Sequence, residues 1–387
     1  MSPGVPDGER EQFVDALRGV ALLGILFVNM EFYSQIIDTG WTGYTDGVDG
    51  VARWLLVALF QLKSYLVFAL LFGYGLSLQL GRATTSGARF LPRYGRRLGG
   101  LAVLGALHGA LFYSGDILLA YAVLGTLVIP FRRIGDRALL LVAACVFVLG
   151  IAVIASLPGD DGVLRHTASV RAVFSHGSFL EIVRQRLDDL VLAQAFGALV
   201  QWPSAFAFFL IGIVLGRRRA LADPELSLPL FRRLVRYALP VGLVGGAVAA
   251  TLGGGIGNVR AEDLGFLIQA LTAPASALGY VGLAGVLAAG GRLDRVAPIA
   301  QSLGRMSLTA YLAESIVCSL IFLPYGLGLF GEVGPALGML LAVVVWLVLV
   351  PLDRFWLARF RYGPFEWALR SLTYRELQPL RRRKSTI

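Results

Sequence analysis

The sequence predicts an all-α fold: a polytopic helical membrane bundle of about ten transmembrane helices with both termini cytoplasmic. Three observations predict it. Of the 387 residues, 56% are hydrophobic and only 16% charged, with a mean hydropathy of +0.70, which leaves too little polar surface to cover a water-soluble core. Apolar stretches of about 17 to 25 residues recur from end to end, the length that a helix rising ~1.5 Å per residue needs to cross hydrocarbon. Basic residues gather at alternate ends of those stretches.

The first span, 13–31, reads "FVDALRGVALLGILFVNM". Asp15 and Arg18 stand at i,i+3 on one helix face. Arg18 lies ~8 Å inside the cytoplasmic edge, where it either pairs with Asp15 or points at an anionic ligand. No small-residue cleavage site follows, so the span is expected to stay in the mature protein. The second span, 54–80, carries Lys63 ~14 Å deep, too far for easy snorkelling. The third, 97–114, holds His108 ~16 Å from its inner edge, flanked by Gly105 and Gly109, whose spacing permits close helix approach. Asp116 opens the fourth, 116–131, and an apolar fifth covers 138–157.

The connector 158–187 is the largest hydrophilic segment and reads as solvated, with the capacity for a surface amphipathic helix. It contains His166 and His176, whose ten-residue separation does not match a metal motif. Span six, 188–216, brings Gln194, Gln201 and a kink at Trp202-Pro203. Span seven, 236–256, ends in "GGGIGN", an outer turn with no strand before it and so no phosphate loop. Span eight, 264–290, holds Gln269 and a second kink site, Pro274. In span nine, 299–323, Glu314 lies about eight residues inside if the span begins near Arg305, and so near the midplane, and 335–357 completes the set. No segment is long enough for a soluble domain, so residues 1–387 form one integral membrane domain.

The net charge of +10 is a matter of topology and does not indicate nucleic acid. Arg82, Arg89, Arg93, Arg96 and Arg97 follow span two, Arg132, Arg133 and Arg137 follow span four, and Arg217 to Arg219 with Arg232, Arg233 and Arg236 follow span six. Arg292, Arg295 and Arg305 follow span eight, and the tail from Arg354 to Lys384 carries nine more. By contrast, "EFYSQIIDTGWTGYTDGVDG" after span one has acids and neither Lys nor Arg. Positive charge inside then puts both termini in the cytoplasm. Cys145 and Cys318 both fall in spans, so no disulfide framework is indicated.

Ionisable groups inside a membrane are costly and point to function. By depth, Lys63, His108 and Glu314 converge on one polar cavity, whose alternative is a structural hydrogen-bond network. These residues also carry a resemblance. "FVDALRGVALLGILFVNM", "LLFGYGLSLQ", "LHGALFYSGDILLAYAVLG", "LGRMSLTAYLAESIVCSLIFLPYGLGLFG" and "RYGPFEWALRSLTY" together resemble the bacterial YeiB-like family, domain of unknown function 418, over nearly the whole chain. The family is similar in its N-terminal half to heparan-alpha-glucosaminide N-acetyltransferase and other transmembrane acyltransferases. The resemblance thus implies acyltransferase-like helices over 13–157 and YeiB-like helices over 188–375, in a multi-pass protein of the bacterial cytoplasmic membrane.

It further implies transfer of an acyl group, expected to be acetyl, from cytosolic acyl-CoA to a sugar or small-molecule hydroxyl or amine across the membrane. A hydroxyl or amine attacking a thioester needs a base that titrates near neutrality and a donor for the oxyanion. His108 is the expected base, with Asp116 or Glu314 orienting it and Lys63 as oxyanion or phosphate partner. Asp15 and Arg18, with Arg93, Arg96 and Arg97, form the expected site for the coenzyme's phosphates, a cluster that topology alone also explains. No metal is expected. The expected partners are membrane lipid, a glycan or small-molecule acceptor and a second copy of the chain, with no nucleic acid. The rival reading is a transporter or flippase that uses the same midplane residues.

Overall fold

The computed structural model describes residues 12–36, 41, 43–85, 90–156, 167–253 and 259–381. His166, Gly162, Arg89, the side chain of Arg82, the turn 254–258 and the tail beyond 381 lie outside the described residues. The helices are α1 (Gln12–Ser34), α2 (Gly47–Leu59), α3 (Ser64–Thr85), α4 (Phe90–Leu111), α5 (Ile117–Leu127), α6 (Asp136–Ser156), α7 (Thr167–His176) and α8 (Phe179–Val200). They continue as α9 (Trp202–Arg217), α10 (Leu228–Arg233), α11 (Leu239–Gly253), α12 (Val259–Ala289), α13 (Ala297–Arg305), α14 (Ser307–Phe322), α15 (Pro335–Arg359) and α16 (Pro364–Tyr374). Among the described residues no strand forms, only an isolated bridge between Phe360 and Arg381.

Six stretches are long and apolar enough to cross a membrane: α1, α2 with α3, α6, α10 with α11, α12 and α15. The pairs α8–α9, bent by 62°, and α13–α14, bent by 87°, bring the number to eight if each pair is one span. The sequence count of about ten differs at two places for physical reasons. Arg93, Arg96 and Arg97 occupy the first turns of α4, and α5 has 11 residues, roughly 16 Å of rise, short of a bilayer core. The expected kink at Trp202-Pro203 is the 62° bend, whereas α12 runs through Pro274 as one helix of 31 residues.

Burial is arranged as lipid demands. The central helix α9 is buried along nearly its whole length, from Ser204 to Gly216. Rim helices turn aliphatic side chains outward, among them Leu141 and Leu149 of α6, Val244 of α11 and Leu340 of α15. Exposed leucine and valine faces of that extent belong against hydrocarbon.

The densest packing is α3 against α9. A Cβ on Gly73 would fall on the Phe209 carbonyl oxygen, and one on Gly212 on that of Leu70. The two backbones therefore touch, as small residues allow between membrane helices. Gly212→Ala should force them apart at a cost of about 1–3 kcal/mol, read as a lower melting temperature in detergent. An unchanged melting temperature would remove the backbone contact from the account.

The second predicted span is not continuous. After Leu59 the chain makes a turn in which Leu62 takes φ 58°, a left-handed value that a bulky residue adopts only under tertiary constraint. The turn frees carbonyls that must be satisfied internally. Lys63 Nζ donates to Val57 O (2.7 Å), Gln269 Nε2 to Val57 O and Gln61 O (3.2 Å each), and Tyr280 Oη to Leu59 O (2.9 Å). Three polar side chains, from Lys63, Gln269 and Tyr280, thus close the end of α2.

One end of the bundle is arginine-rich. Arg217 Nη2 donates to Arg132 O (2.7 Å) and its Nη1 to Asp136 Oδ1 (3.1 Å), tying α9 to the turn before α6. Glu366 of α16 caps α14 by accepting from Leu308 N (2.7 Å) and Thr309 Oγ1 (2.6 Å). Burial pushes this carboxyl above its usual range and the Thr309 hydroxyl opposes that shift. The opposite end is closed by Trp41 Nε1 donating to Val333 O (3.3 Å) and Gly331 N to Ser34 O (2.8 Å).

Candidate functional site

Helices α4 and α5 form a tight hairpin, and its closure builds the site. Asp116 is the N-cap of α5, with Oδ1 accepting from Leu119 N at 2.7 Å, so a helix terminus holds the carboxylate in place. A Cβ on Gly105 would meet Asp116 and Leu119, and one on Gly109 would meet Leu190 of α8. Both glycines flanking His108 are therefore used for close approach.

His108 lies in the last turn of α4, which begins at Phe90, before the arginines. Its Nδ1 is 2.7 Å from Asp116 Oδ2 and its Nε2 is 2.8 Å from Ser315 Oγ of α14. Asp116 accepts with both oxygens. With the carboxylate ionised, Nδ1 carries the proton in a neutral ring, and Nε2 presents a lone pair to the hydroxyl. Tyr33 of α1 donates to the same Ser315 oxygen at 2.6 Å, and the Tyr311 ring lies 4.8 Å from the imidazole, centroid to centroid. His108 and Asp116 are 2% exposed and Ser315 is 0% exposed, so bulk water is excluded from the network.

Helix α8 covers this network. Arg186 donates through Nη1 to Leu111 O at the end of α4 and through Nη2 to Ser319 Oγ at 3.1 Å. Gln194 Nε2 donates to Asp116 O at 2.9 Å. A buried guanidinium thus sits one helical turn from Ser315 and satisfies a carbonyl at the C-terminal, negative end of α4.

The remaining sequence-predicted residues lie elsewhere. Lys63 bonds Val57 O and approaches Gly246 of α11, sharing no partner with His108. Glu314 is buried beside its neighbour Ser315 in sequence, yet its electrostatic neighbour is Asp353 of α15, and its Oε1 has no hydrogen-bond partner. Consecutive residues on a helix point about 100° apart, so Glu314 and Ser315 serve different surroundings. A cavity of about 890 Å³ lies between α1, α3, α12 and α13, with Gln12, Arg219, Asp294 and Gln301 among its polar lining. None of His108, Asp116, Lys63 and Glu314 lines it.

At the arginine-rich end, Arg18 Nη1 pairs with Asp15 Oδ1 at 3.0 Å. Arg97 has the guanidiniums of Arg18 and Arg370 within electrostatic reach. Arg96 Nε donates to Thr373 O at 2.9 Å, and Arg93 and Arg370 each lie 5.4 Å from the centre of the Tyr374 ring. The buried Nε atoms of Arg97 and Arg370 have no hydrogen-bond partner. The expected basic cluster is thus gathered, under α16, with Arg370 added to it. Sequence reasoning missed Tyr33, Arg186, Ser315 and Arg370. All four reach the clusters through tertiary contacts, and Arg186 is masked by the charged run "EIVRQRLDD" around it.

Comparison with known proteins places the chain. The family model described as "Protein of unknown function (DUF418)" matches residues 215–376. The chain is 33% identical over 402 aligned residues to the uncharacterized protein YxaH of Bacillus subtilis (strain 168), covering 96% of each. It is 32% identical over 393 to the uncharacterized protein YeiB of Escherichia coli (strain K12), covering 96% of this chain and 98% of that one. A 39.9 kDa protein of the amylase 3' region of Bacillus acidopullulyticus is 25% identical over 387. No solved structure matches. With a whole-length relative above 30% identity and the family model over its C-terminal helices, the chain belongs to the YeiB-like DUF418 family of multi-pass membrane proteins.

Proposed function

We propose that this protein is a membrane-embedded acyltransferase that moves an acyl group from cytosolic acyl-CoA to a sugar or small-molecule hydroxyl or amine. One observation carries the reading: a water-excluded imidazole bonded at Nδ1 to a helix-capped carboxylate and at Nε2 to a hydroxyl. That is the arrangement of a general base whose tautomer and direction are set by a third group. Arg18, Arg93, Arg96, Arg97 and Arg370 would take the coenzyme's phosphates, where guanidiniums with unused donors suit a phosphoanhydride. From Arg97 to His108 is 11 residues of α4, roughly 16 Å, a distance for the extended pantetheine arm.

This reading takes α4 across the membrane, and also α5 together with the 3₁₀ turn Ile129–Arg133 that lengthens it, making ten spans in a bacterial cytoplasmic membrane with both termini inside. In a cysteine-free background, a cysteine at the exposed Asp46 should react with an impermeant thiol reagent in intact cells, and one at the exposed Glu225 should not. The reverse pattern would turn the donor side outward and end the proposal that cytosolic acyl-CoA serves it.

The direct test is release of coenzyme A thiol from acetyl-CoA and longer acyl-CoA thioesters by protein in nanodiscs, with cell-envelope glycans supplied as acceptors. The transporter reading draws on the two bent pairs, since broken helices mark many carriers. Solute flux into proteoliposomes with no thioester cleavage would favour it.

A further inference from the structure

We propose that Ser315 is the nucleophile that carries the acyl group as a covalent ester between donor and acceptor, with His108 and Asp116 as its base and positioning acid. This deepens the acyl-transfer reading and rests on it.

The argument is the direction of the hydrogens. Tyr33 Oη donates to Ser315 Oγ over 2.6 Å, and a tyrosine hydroxyl has one hydrogen to give. Ser315 therefore accepts from Tyr33 and keeps its own hydrogen to donate. Two acceptors are in reach: Tyr311 O at 3.1 Å, the carbonyl four residues back, and His108 Nε2 at 2.8 Å. Serines in apolar helices ordinarily donate to the i−4 carbonyl. Here a shorter bond to a ring nitrogen competes, and a neutral imidazole whose Nδ1–H is given to Asp116 Oδ2 keeps a lone pair on Nε2. Ser319, one turn on, supplies the contrast. It donates to Phe112 O and accepts from Arg186, with no base beside it. Of two serines on one helix face, only Ser315 has a nucleophile's partners.

In the first step Ser315 Oγ bonds to the thioester carbonyl carbon as its proton passes to His108 Nε2. The carbon–sulfur bond breaks, and the coenzyme leaves as thiol with the proton returned by the imidazolium. In the second, His108 takes the acceptor's proton, the acceptor oxygen or nitrogen attacks the serine ester, and Ser315 leaves with that proton. Tyr33 Oη, which donates to Ser315 Oγ, can stabilise negative charge on that oxygen as it leaves the ester, and Arg186 holds a buried positive charge one turn on, at Ser319. No oxidant or metal is needed for the balance.

Full-length protein in nanodiscs is incubated with radiolabelled acetyl-CoA without acceptor, quenched in acid and digested for mass spectrometry. The expected result is a burst of coenzyme thiol approaching one per chain and an acetyl mass on the peptide containing Ser315. Ser315→Ala should lose the label and at least ~10²-fold in turnover. Ser315→Cys should instead carry a hydroxylamine-labile thioester, and Ser276→Ala on α12 should label normally. Thiol release and product formation that persist in Ser315→Ala, with no acyl group on wild-type Ser315, would overturn the ester and leave direct transfer by His108 standing. No thiol release from any acyl-CoA would remove both.

Discussion

Replacing His108 by alanine or glutamine should reduce acyl transfer by about 10²–10⁴-fold, the usual contribution of a positioned base. Alanine leaves the Asp116 carboxylate and the Ser315 hydroxyl facing an empty space, and an orphaned buried polar group costs about 1–3 kcal/mol, so a lower melting temperature accompanies it. Glutamine separates the two effects. Its amide can donate toward Asp116 and fill most of the ring's volume, but it cannot accept and return a proton at neutral pH. His108→Gln should therefore keep its fold, judged by monodisperse elution and melting temperature, and lose activity as fully as His108→Ala. His176→Ala, on the exposed end of α7, should keep both. Full transfer by His108→Gln with saturating donor would reduce His108 to a packing residue and favour the transporter reading.

How much of this was legible in the sequence depends on the distance over which each contact is made. Helical class and membrane residence follow from composition, because a chain with so few charges has no soluble alternative. The His108–Asp116 pair is also local. Eight residues, a glycine-permitted hairpin and an aspartate before an apolar run specify it. The turn at residues 60–63 is opaque, since it contains no Gly, Pro or Asn, apolar residues resume on both sides of Gln61 and Lys63, and the left-handed residue is a leucine. For the same reason Lys63 reads as an ionisable group in mid-span when it is bonded to a freed carbonyl of α2. Ser315 meets His108 across 207 residues of sequence and Tyr33 meets Ser315 across 282. No periodicity encodes which face of α14 turns toward α4. Of the two acids considered for orienting His108, Asp116 holds the imidazole, while Glu314 has Asp353 of α15 as its electrostatic neighbour.

Asp116→Asn should be nearly as damaging as loss of the histidine, about 10²–10⁴-fold, while leaving the helix intact. Asparagine is as good an N-cap as aspartate, and it retains one acceptor oxygen where aspartate has two. In the native chain both are in use, one for Leu119 N and the other for His108 Nδ1. If the asparagine oxygen keeps the cap, its amide NH₂ faces Nδ1 and favours the tautomer protonated at Nε2. That nitrogen then has no lone pair for the Ser315 proton, and neither acylation nor transfer can begin. If instead the oxygen turns to the histidine, the α5 terminus loses its cap, at a cost of about 1 kcal/mol. The two outcomes separate experimentally. The first leaves the melting temperature unchanged and removes acetyl label from Ser315; the second lowers the melting temperature and retains label. We expect the first, because the cap bond is made within one turn and the histidine bond spans the hairpin. Unchanged stability together with unchanged labelling would make Asp116 a helix cap alone and leave the imidazole unoriented.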